Sequence, residues 1–295
     1  MMRATQMTTY RSLQTLLNRS NDQLQNLQLQ IASGRKLNRP SDDPTAISPV
    51  LSARTRIQSA DRYMETIASG LDRINQMDSY LDAIQNNLVR LKEISIAGVN
   101  GALSPADMTT YAEEVAQLRQ SLLADANASV DGKYLFAGFA ETTRPFTENE
   151  DGAVVYNGDS GVIEFEIAPN ELIAVNLTGA NLMQGEVDIF ALVGQLEEAL
   201  RSNDPAAVAA LIDPLEQAAD QVRILRSKGG NVGRRLDSAA AQMERIKLDM
   251  EALRSRYEDV DMLEAITRLQ QQEQSFQAAL SITGRVAQLS ILDYI

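Results

Sequence analysis

Two segments of the sequence contain residues whose types and spacing could carry chemistry. Asp42 and Asp43 are adjacent carboxylates, a pairing that can hold a metal ion or act as an acid–base pair. Residues 228–234, Lys-Gly-Gly-Asn-Val-Gly-Arg, have the glycines and basic side chains of a phosphate-binding loop. The context favours neither site, because no further ligands lie near the aspartates in the sequence and no strand precedes the glycines.

The overall composition removes most of the remaining catalytic and metal-binding chemistry. The 295 residues include no Cys and no His. The chain therefore lacks the thiolate nucleophile, the imidazole base and the usual ligands of zinc and other transition metals. The turn-forming segment 151–161 also lacks the order of acidic side chains found in a calcium loop. We expect no enzyme activity, no metal and no cofactor.

The charge of the chain argues against a nucleic-acid partner. With 27 Lys and Arg against 40 Asp and Glu, the net charge is −13, whereas phosphate binding needs clusters of basic side chains. The first 40 residues differ from the rest, since they carry six basic residues and one Asp. The sequence shows neither a continuous apolar signal-peptide core nor an apolar stretch of membrane-spanning length. We expect a soluble protein that, if exported, uses a route without a cleavable signal peptide.

Both ends of the chain place seam residues at alternating spacings of three and four, the pattern of a helix that packs against a partner helix. Near the N-terminus this seam comprises Leu13, Leu17, Ser20, Leu24, Leu27 and Ile31. Near the C-terminus it comprises Met262, Ile266, Leu269, Glu273, Phe276, Leu280, Thr283, Ala287 and Ser290. Two helices of similar length are thus predicted to pair with each other.

These two terminal helices carry unusually little charge. In residues 20–34 the only charged residue is Asp22, and in residues 274–292 it is Arg285. A two-helix coil in water normally carries charge on its outward positions. The pattern favours a pair that is surrounded by other protein in an assembly, although glutamine-rich helices also occur in ordinary bundles and signalling coils.

Between the ends, the sequence predicts long helices interrupted by one β segment. Helices are predicted over about 45–97, over 105–129 antiparallel to the first, and again from about residue 187 to Val260. In the last of these segments a seam with alternating spacings of three and four runs from Leu215 to Val260. It passes in phase through Gly229 and residues 228–234, which predicts continuous helix there and no phosphate loop. Turn-forming Asn-Gly and Ser-Gly pairs and alternating apolar residues predict a small antiparallel β unit within 151–177.

The expected fold is mainly α, a long antiparallel helical coiled-coil rod with paired terminal helices and a small inserted antiparallel β domain. Three domains are predicted. Residues 1–44 and 261–295 form the terminal helical pair, residues 45–140 and 186–260 form the rod, and residues 141–185 form the β domain.

Four segments of the chain resemble the flagellin-like axial proteins of bacterial flagella, and among them the hook-associated protein three family of hook–filament junction proteins. The segments are Ser-Gly-Arg-Lys-Leu-Asn-Arg-Pro-Ser-Asp-Asp-Pro at 33–44, Asp-Gly-Lys-Tyr-Leu-Phe-Ala-Gly-Phe at 131–139, Ala-Val-Asn-Leu-Thr-Gly at 174–179 and Leu-Ser-Ile-Leu-Asp-Tyr-Ile at 289–295. The resemblance extends over nearly the whole chain.

The resemblance implies a non-catalytic protein that is exported through the flagellar type III apparatus with the help of an export chaperone. It implies a ring of identical copies between the first hook-associated protein on the hook side and flagellin on the filament side. Filament flagellin is the nearest alternative, and a cytoplasmic coiled-coil scaffold or signalling protein is a more remote one. The assembly interface is expected to comprise Leu13, Leu17, Leu24, Leu27, Ile31, Ile266, Leu269, Phe276, Leu280, Leu289, Ile291 and Leu292.

Overall fold

The structure is a computed structural model. It describes the backbone of residues 2–99 and 104–292 and the side chains of residues 8, 11–99 and 104–285. Contacts between Cα positions divide the chain into two compact units. Unit 1 is formed from residues 1–59 and 245–295, and unit 2 from residues 60–244. Unit 1 is therefore built from both ends of the sequence and unit 2 from its middle.

Helices account for most of the described residues, with short strands between them. The helices are α1 (Met2–Ser33), α2 (Pro44–Val99), α3 (Pro105–Ala126), α4 (Gly179–Met183), α5 (Ile189–Arg201), α6 (Pro205–Ala210), α7 (Ile212–Glu258) and α8 (Met262–Leu292). The strands are β1 (Ser129–Val130), β2 (Lys133–Tyr134), β3 (Phe146–Glu148), β4 (Val154–Tyr156), β5 (Glu164–Ala168) and β6 (Glu171–Ala174). The predicted fold class, long antiparallel helices with a small antiparallel β insertion, is confirmed.

In unit 1, α1 and α8 lie side by side and run in antiparallel directions. An antiparallel bridge joins Arg35 to Asp259 near one end, and Gln272 Nε2 donates to Ser20 Oγ at 2.9 Å further along. α1 stops at Gly34, which has a φ of +69°, a conformation that glycine adopts without steric cost. The predicted pairing of the two terminal helices is confirmed.

The adjacent carboxylates Asp42 and Asp43 form hydrogen bonds within the loop between α1 and α2 and at the start of α2. Asp42 Oδ2 accepts hydrogen bonds from the backbone N–H groups of Asn38 and Arg39 at 2.9 and 2.7 Å. Asp43 Oδ1 caps α2 by accepting from the hydroxyl and the backbone N–H of Thr45 at 2.6 and 3.0 Å. These bonds, led by the one from the Thr45 hydroxyl, lower the pKa of Asp43 below its ordinary value of 3.8. Both side chains thus shape the loop and begin the next helix.

In unit 2, long helices pack in antiparallel neighbours around an apolar core. Arg226 of α7 contacts Asp78 of α2 at 3.0 Å, and Glu216 of α7 contacts Lys92 of α2, so the two helices run in opposite directions. α3 packs against α5. The fully or almost fully buried side chains of this core include Ile67, Ile84, Leu88, Leu91, Val115, Leu122, Val193, Leu196, Leu215, Val222 and Leu236. Burying each aliphatic side chain contributes about 1.5–3 kcal/mol, so this core is a main source of stability for unit 2.

α7 is one continuous helix through its glycines. It includes Gly229, Gly230 and Gly233 without interruption, and every position of the predicted seam from Leu215 to Val260 is buried or half-buried. The prediction that residues 228–234 are helix is confirmed, and the phosphate-loop alternative is excluded because those residues form no loop.

The β part of unit 2 consists of three separate two-stranded antiparallel ladders, β1–β2, β3–β4 and β5–β6. Asn170, with a φ of +61°, lies in the turn between β5 and β6. The predicted turn residues Asn157 and Gly158 lie in the connection from β4 to β5 and close no hairpin. β1, β2 and β3 were not predicted, because strands of two or three residues are too short to display a period of two.

Candidate assembly interface

The α1 side of the predicted interface lies along one face of that helix. Leu24 is 8% exposed, and Leu13, Leu17, Leu27 and Ile31 are half-buried at the spacing predicted from the sequence. Along the described part of the chain, α8 is the element that packs extensively on α1. The structure thus brings these five apolar residues together on the face nearest α8.

The face that α8 turns toward α1 differs from the predicted seam by one residue at several positions. Ala265 is 3% exposed, whereas Ile266 and Leu280 are 43% and 47% exposed. The inward face comprises Ala265, Leu269, Gln272, Phe276, Ala279 and Thr283, which keep the alternation of four and three residues. Of the predicted interface residues on the described part of α8, Leu269 and Phe276 therefore face α1 and the two exposed ones do not.

The shift has a physical cause in the polar residues of the seam. Gln272 Nε2 donates to Ser20 Oγ at 2.9 Å and to Gln23 Oε1 at 3.0 Å. In the seam predicted from the sequence, the carboxylate of Glu273 would stand in place of this amide. A carboxylate there would place a charge in the partly buried seam, whereas the amide forms both hydrogen bonds without one. The side chains of Leu289, Ile291 and Leu292, also predicted interface residues, lie outside the described residues.

A buried carboxylate holds the two helix breaks of unit 1 together. Glu258 is the last residue of α7 and is 2% exposed, and its Oε1 lies 3.0 Å from Arg35 Nη1 and 2.6 Å from Arg54 Nη2. Its backbone carbonyl accepts a hydrogen bond from the Lys36 N–H at 2.8 Å. The end of this helix near Val260 was predicted from the sequence, but the ion cluster was not, because contacts between distant residues leave no local pattern.

Metal-binding clusters and membrane-spanning helices are absent from the described residues. Nowhere in residues 2–99 or 104–292 do three acidic side chains group as a metal ion would require. Over the same part of the chain, no helix combines the length and the apolar composition needed to cross a bilayer.

Two family models match the chain at its two helical ends. The model described as the bacterial flagellin N-terminal helical region matches residues 5–141, and the bacterial flagellin C-terminal helical region matches residues 212–295. The chain belongs to the flagellin-like family. The unmatched residues 142–211 contain β3 to β6 and the short helices α4 to α6.

Two curated relatives are similar to this flagellin-like chain over most of its length. The flagellar hook-associated protein 3 of Escherichia coli K12 is 23% identical over 275 residues, covering 85% of this chain and 86% of that protein. The flagellar filament 30.7 kDa core protein of Treponema maltophilum is 25% identical over 252 residues, covering 85% and 84%. The resemblance to flagellar axial proteins inferred from the sequence is confirmed.

Solved structures share the fold. A flagellar hook-associated protein structure from Vibrio parahaemolyticus superimposes with a TM-score of 0.69 at 22% identity, covering 74% of this chain and all of that one. The hook-associated protein 3 structure from Legionella pneumophila gives a TM-score of 0.63 at 18% identity, covering 69% and 97%. The fold of this chain is therefore that of hook-associated flagellar proteins.

Proposed function

We propose that this chain is a structural, non-catalytic component of the bacterial flagellum that forms the junction between hook and filament. The observation that carries the proposal is the antiparallel α1–α8 pair, in which residues 20–34 and 274–292 contain one charged residue each and are rich in Gln, Asn, Ser, Thr and Ala. Family membership and the names of the relatives support the same role.

The terminal pair buries too little by itself to be stable in isolation. Among the described side chains of α1 and α8, Leu24 and Ala265 are the apolar ones less than 9% exposed. A fully buried leucine contributes about 1.5–3 kcal/mol, whereas ordering each residue of backbone costs about 1–2 kcal/mol. Neighbouring copies that cover the half-buried seams would supply the missing burial, so the pair is expected to gain most of its stability on assembly.

The proposed role divides the chain into functional parts. Residues 1–44 and 261–295 would form the inner assembly domain, residues 45–140 and 186–260 the supporting rod, and residues 141–185 the β domain. Within the assembly domain, the contacts would use Leu13, Leu17, Leu24, Leu27, Ile31, Ile266, Leu269, Phe276, Leu280, Leu289, Ile291 and Leu292.

The proposed partners are other copies of this chain in a ring, the first hook-associated protein on the hook side and flagellin on the filament side. Export through the flagellar type III apparatus, with a chaperone and without a cleavable signal peptide, would deliver the chain to this position.

Complementation of a strain that lacks the gene tests the proposal. Electron microscopy of that strain is expected to show hooks without filaments, and expression of the wild-type chain is expected to restore filaments. Leu24→Asp puts a charge into the α1–α8 seam and is expected to fail, while Leu172→Asp, at a 55% exposed position on β6, is expected to succeed. Filaments of normal length in the strain without the gene would overturn the proposal.

Filament flagellin is the second candidate, because the filament core protein of Treponema maltophilum is as similar to this chain as the hook-associated relative. The two roles differ in polymerisation. Filament fragments added as seeds are expected to leave a junction protein short, whereas a flagellin would extend them into long polymers. Long growth from seeds would replace the junction role by the filament role.

A further inference from the structure

Residues 227–233 of α7 have a weak intrinsic tendency to be helical, although the structure places them inside one continuous helix. The segment reads Ser-Lys-Gly-Gly-Asn-Val-Gly. Each glycine in a helix interior makes the helical state about four- to fivefold less favourable than alanine would. Serine and asparagine also compete with the helix through their own side-chain hydrogen bonds. We name these residues the glycine segment.

Packing does not require glycine at any of the three positions. An added Cβ at Gly229 would meet nothing within 4 Å, and at Gly230 and Gly233 it would lie 3.8 Å from Arg234 Nη1 and 3.9 Å from Ile74 Cγ2. These are ordinary van der Waals distances, and none of the three glycines has a positive φ. Alanine would therefore fit at all three positions. What glycine contributes here is additional freedom of the backbone once the helix opens.

Side-chain packing along the glycine segment is also weak. Val222 and Leu236 are fully buried, and every residue between them is exposed or half-buried. The seam positions in this interval are Leu225, Gly229 and Val232, so one of the three has no side chain to pack. Half-buried seam positions further along α7 all carry large apolar side chains, namely Ile246, Met250, Leu253 and Tyr257. Few buried apolar contacts lower the free energy needed to open a helix locally.

The turns on both sides of the glycine segment are held more firmly. On the N-terminal side, Arg226 contacts Asp78 of α2 at 3.0 Å and Asp82 of α2 at 2.7 Å. On the C-terminal side, the fully buried Leu236 follows within one helical turn. An opening that starts at the glycines is therefore confined between these two anchors.

We propose that the glycine segment is a local-opening joint of α7, at which helical hydrogen bonds break and re-form while the turns on both sides stay folded. α7 then consists of two stiff arms, and bending of the helix is concentrated at the joint, as is typical of glycine and serine positions. The segment lies within unit 2. The proposal is independent of the proposed function, because the joint exists in the single chain whether it serves in a junction or in a filament.

Hydrogen exchange of the full-length monomer, measured by mass spectrometry on overlapping peptides, tests the proposal. Protection factors, which correct for the intrinsic exchange rate of each amide, are expected to be at least about tenfold lower at 229–234 than at 218–222 and 236–243. The variant with Gly229→Ala, Gly230→Ala and Gly233→Ala is expected to remove this difference. Its three factors of four to five multiply to roughly 60- to 120-fold.

Gly194→Ala is the matched control. Gly194 lies inside α5, and an added Cβ there would likewise meet nothing within 4 Å. This variant is expected to leave the protection of 229–234 within about twofold of wild type, because it stabilises a different helix. If the triple variant folds poorly, Gly229→Ala alone is expected to raise the protection about four- to fivefold.

Three results would overturn the joint. The first is equal protection of 229–234 and of both flanking stretches in the wild type. The second is alanine variants of the glycine segment that exchange as fast there as the wild type does. The third is an equal gain of protection at 229–234 from Gly194→Ala, since that would reflect global stability of unit 2 and not a local opening.

Discussion

Arg54 Nη2 donates a 2.6 Å hydrogen bond to Glu258 Oε1, although the two residues are 204 positions apart in the sequence. The carboxylate is 2% exposed, whereas the Arg54 side chain is 48% exposed. Burying a charge is tolerated only when it is paired, and here Arg35 shares the same carboxylate oxygen. The other oxygen, Oε2, has no hydrogen-bond partner among the described residues, and Arg254 Nε lies 3.9 Å from it. This cluster joins the start of α2 to the end of α7 within unit 1.

Replacing Glu258 by Gln is expected to destabilise unit 1 by about 1–2 kcal/mol. The variant removes the charge that compensates Arg35 and Arg54, and water reaches these half-exposed arginines, so the cost is below that of a fully buried pair. Urea unfolding followed by far-ultraviolet circular dichroism measures it. Asp259→Asn, at the exposed next residue, is the control and is expected to unfold like wild type. Equal stability of Glu258→Gln and the control would show that the cluster contributes nothing.

Replacing Gln221 by Ala is expected to destabilise unit 2 by about 2–3 kcal/mol. This amide is 7% exposed, and its oxygen accepts from the backbone N–H groups of Glu186 and Val187 at 2.8 and 3.1 Å. Its Nε2 also donates to the Leu182 carbonyl at 2.9 Å, so truncation leaves several backbone groups unpaired. Thermal unfolding measures the loss against Gln217→Ala, an exposed glutamine on the same helix. A melting temperature equal to that of Gln217→Ala would contradict this role.

Two glycine-to-alanine variants are expected to change stability in opposite directions. Gly138 has a φ of +73°, and a Cβ there would lie 2.0 Å from Asp159 Oδ1, so Gly138→Ala should destabilise by more than about 1 kcal/mol. Gly229 lies inside α7, and a Cβ there would meet nothing within 4 Å, so Gly229→Ala should stabilise by about 0.5–1 kcal/mol. Denaturant unfolding of both variants measures the two changes in the free energy of unfolding. Two shifts of the same sign would contradict the prediction.

The capping carboxylate of α3 is expected to make stability depend on acid pH. Hydrogen bonds from Ser104, led by that of its hydroxyl, lower the pKa of Asp107 below its ordinary value of 3.8. Because the native pKa is depressed, this stabilisation is present above pH 3.8 and is lost as the pH falls through the native pKa.

The measurement for α3 compares melting temperatures of wild type and Asp107→Asn between pH 2 and 6. Asparagine keeps an oxygen that can accept from Ser104 but does not titrate. The advantage of wild type should be largest above pH 4 and should shrink toward pH 2. A difference that stays constant across this range would mean that the charge of Asp107 is irrelevant to α3.

Much of the fold was predictable because its signals are local. Periodicity located α2, α7 and the terminal helices. The in-phase seam predicted that Gly229 and Gly230 are helical, because many residues of a long helix share the same period and two glycines do not obscure it. Strands of two or three residues are too short to show an alternation of apolar and polar residues. For this reason β1, β2 and β3 were not predicted.

The sequence by itself determined that both ends are helices with a seam and little charge, because period and composition are properties of each helix alone. The tertiary structure alone decided which side of α8 meets α1, since that depends on Gln272 finding Ser20 and Gln23 on another helix. It likewise decided that Glu258 would be buried among arginines. Such contacts join residues more than 200 positions apart, and the free energy of placing a polar group depends on partners that no local pattern specifies.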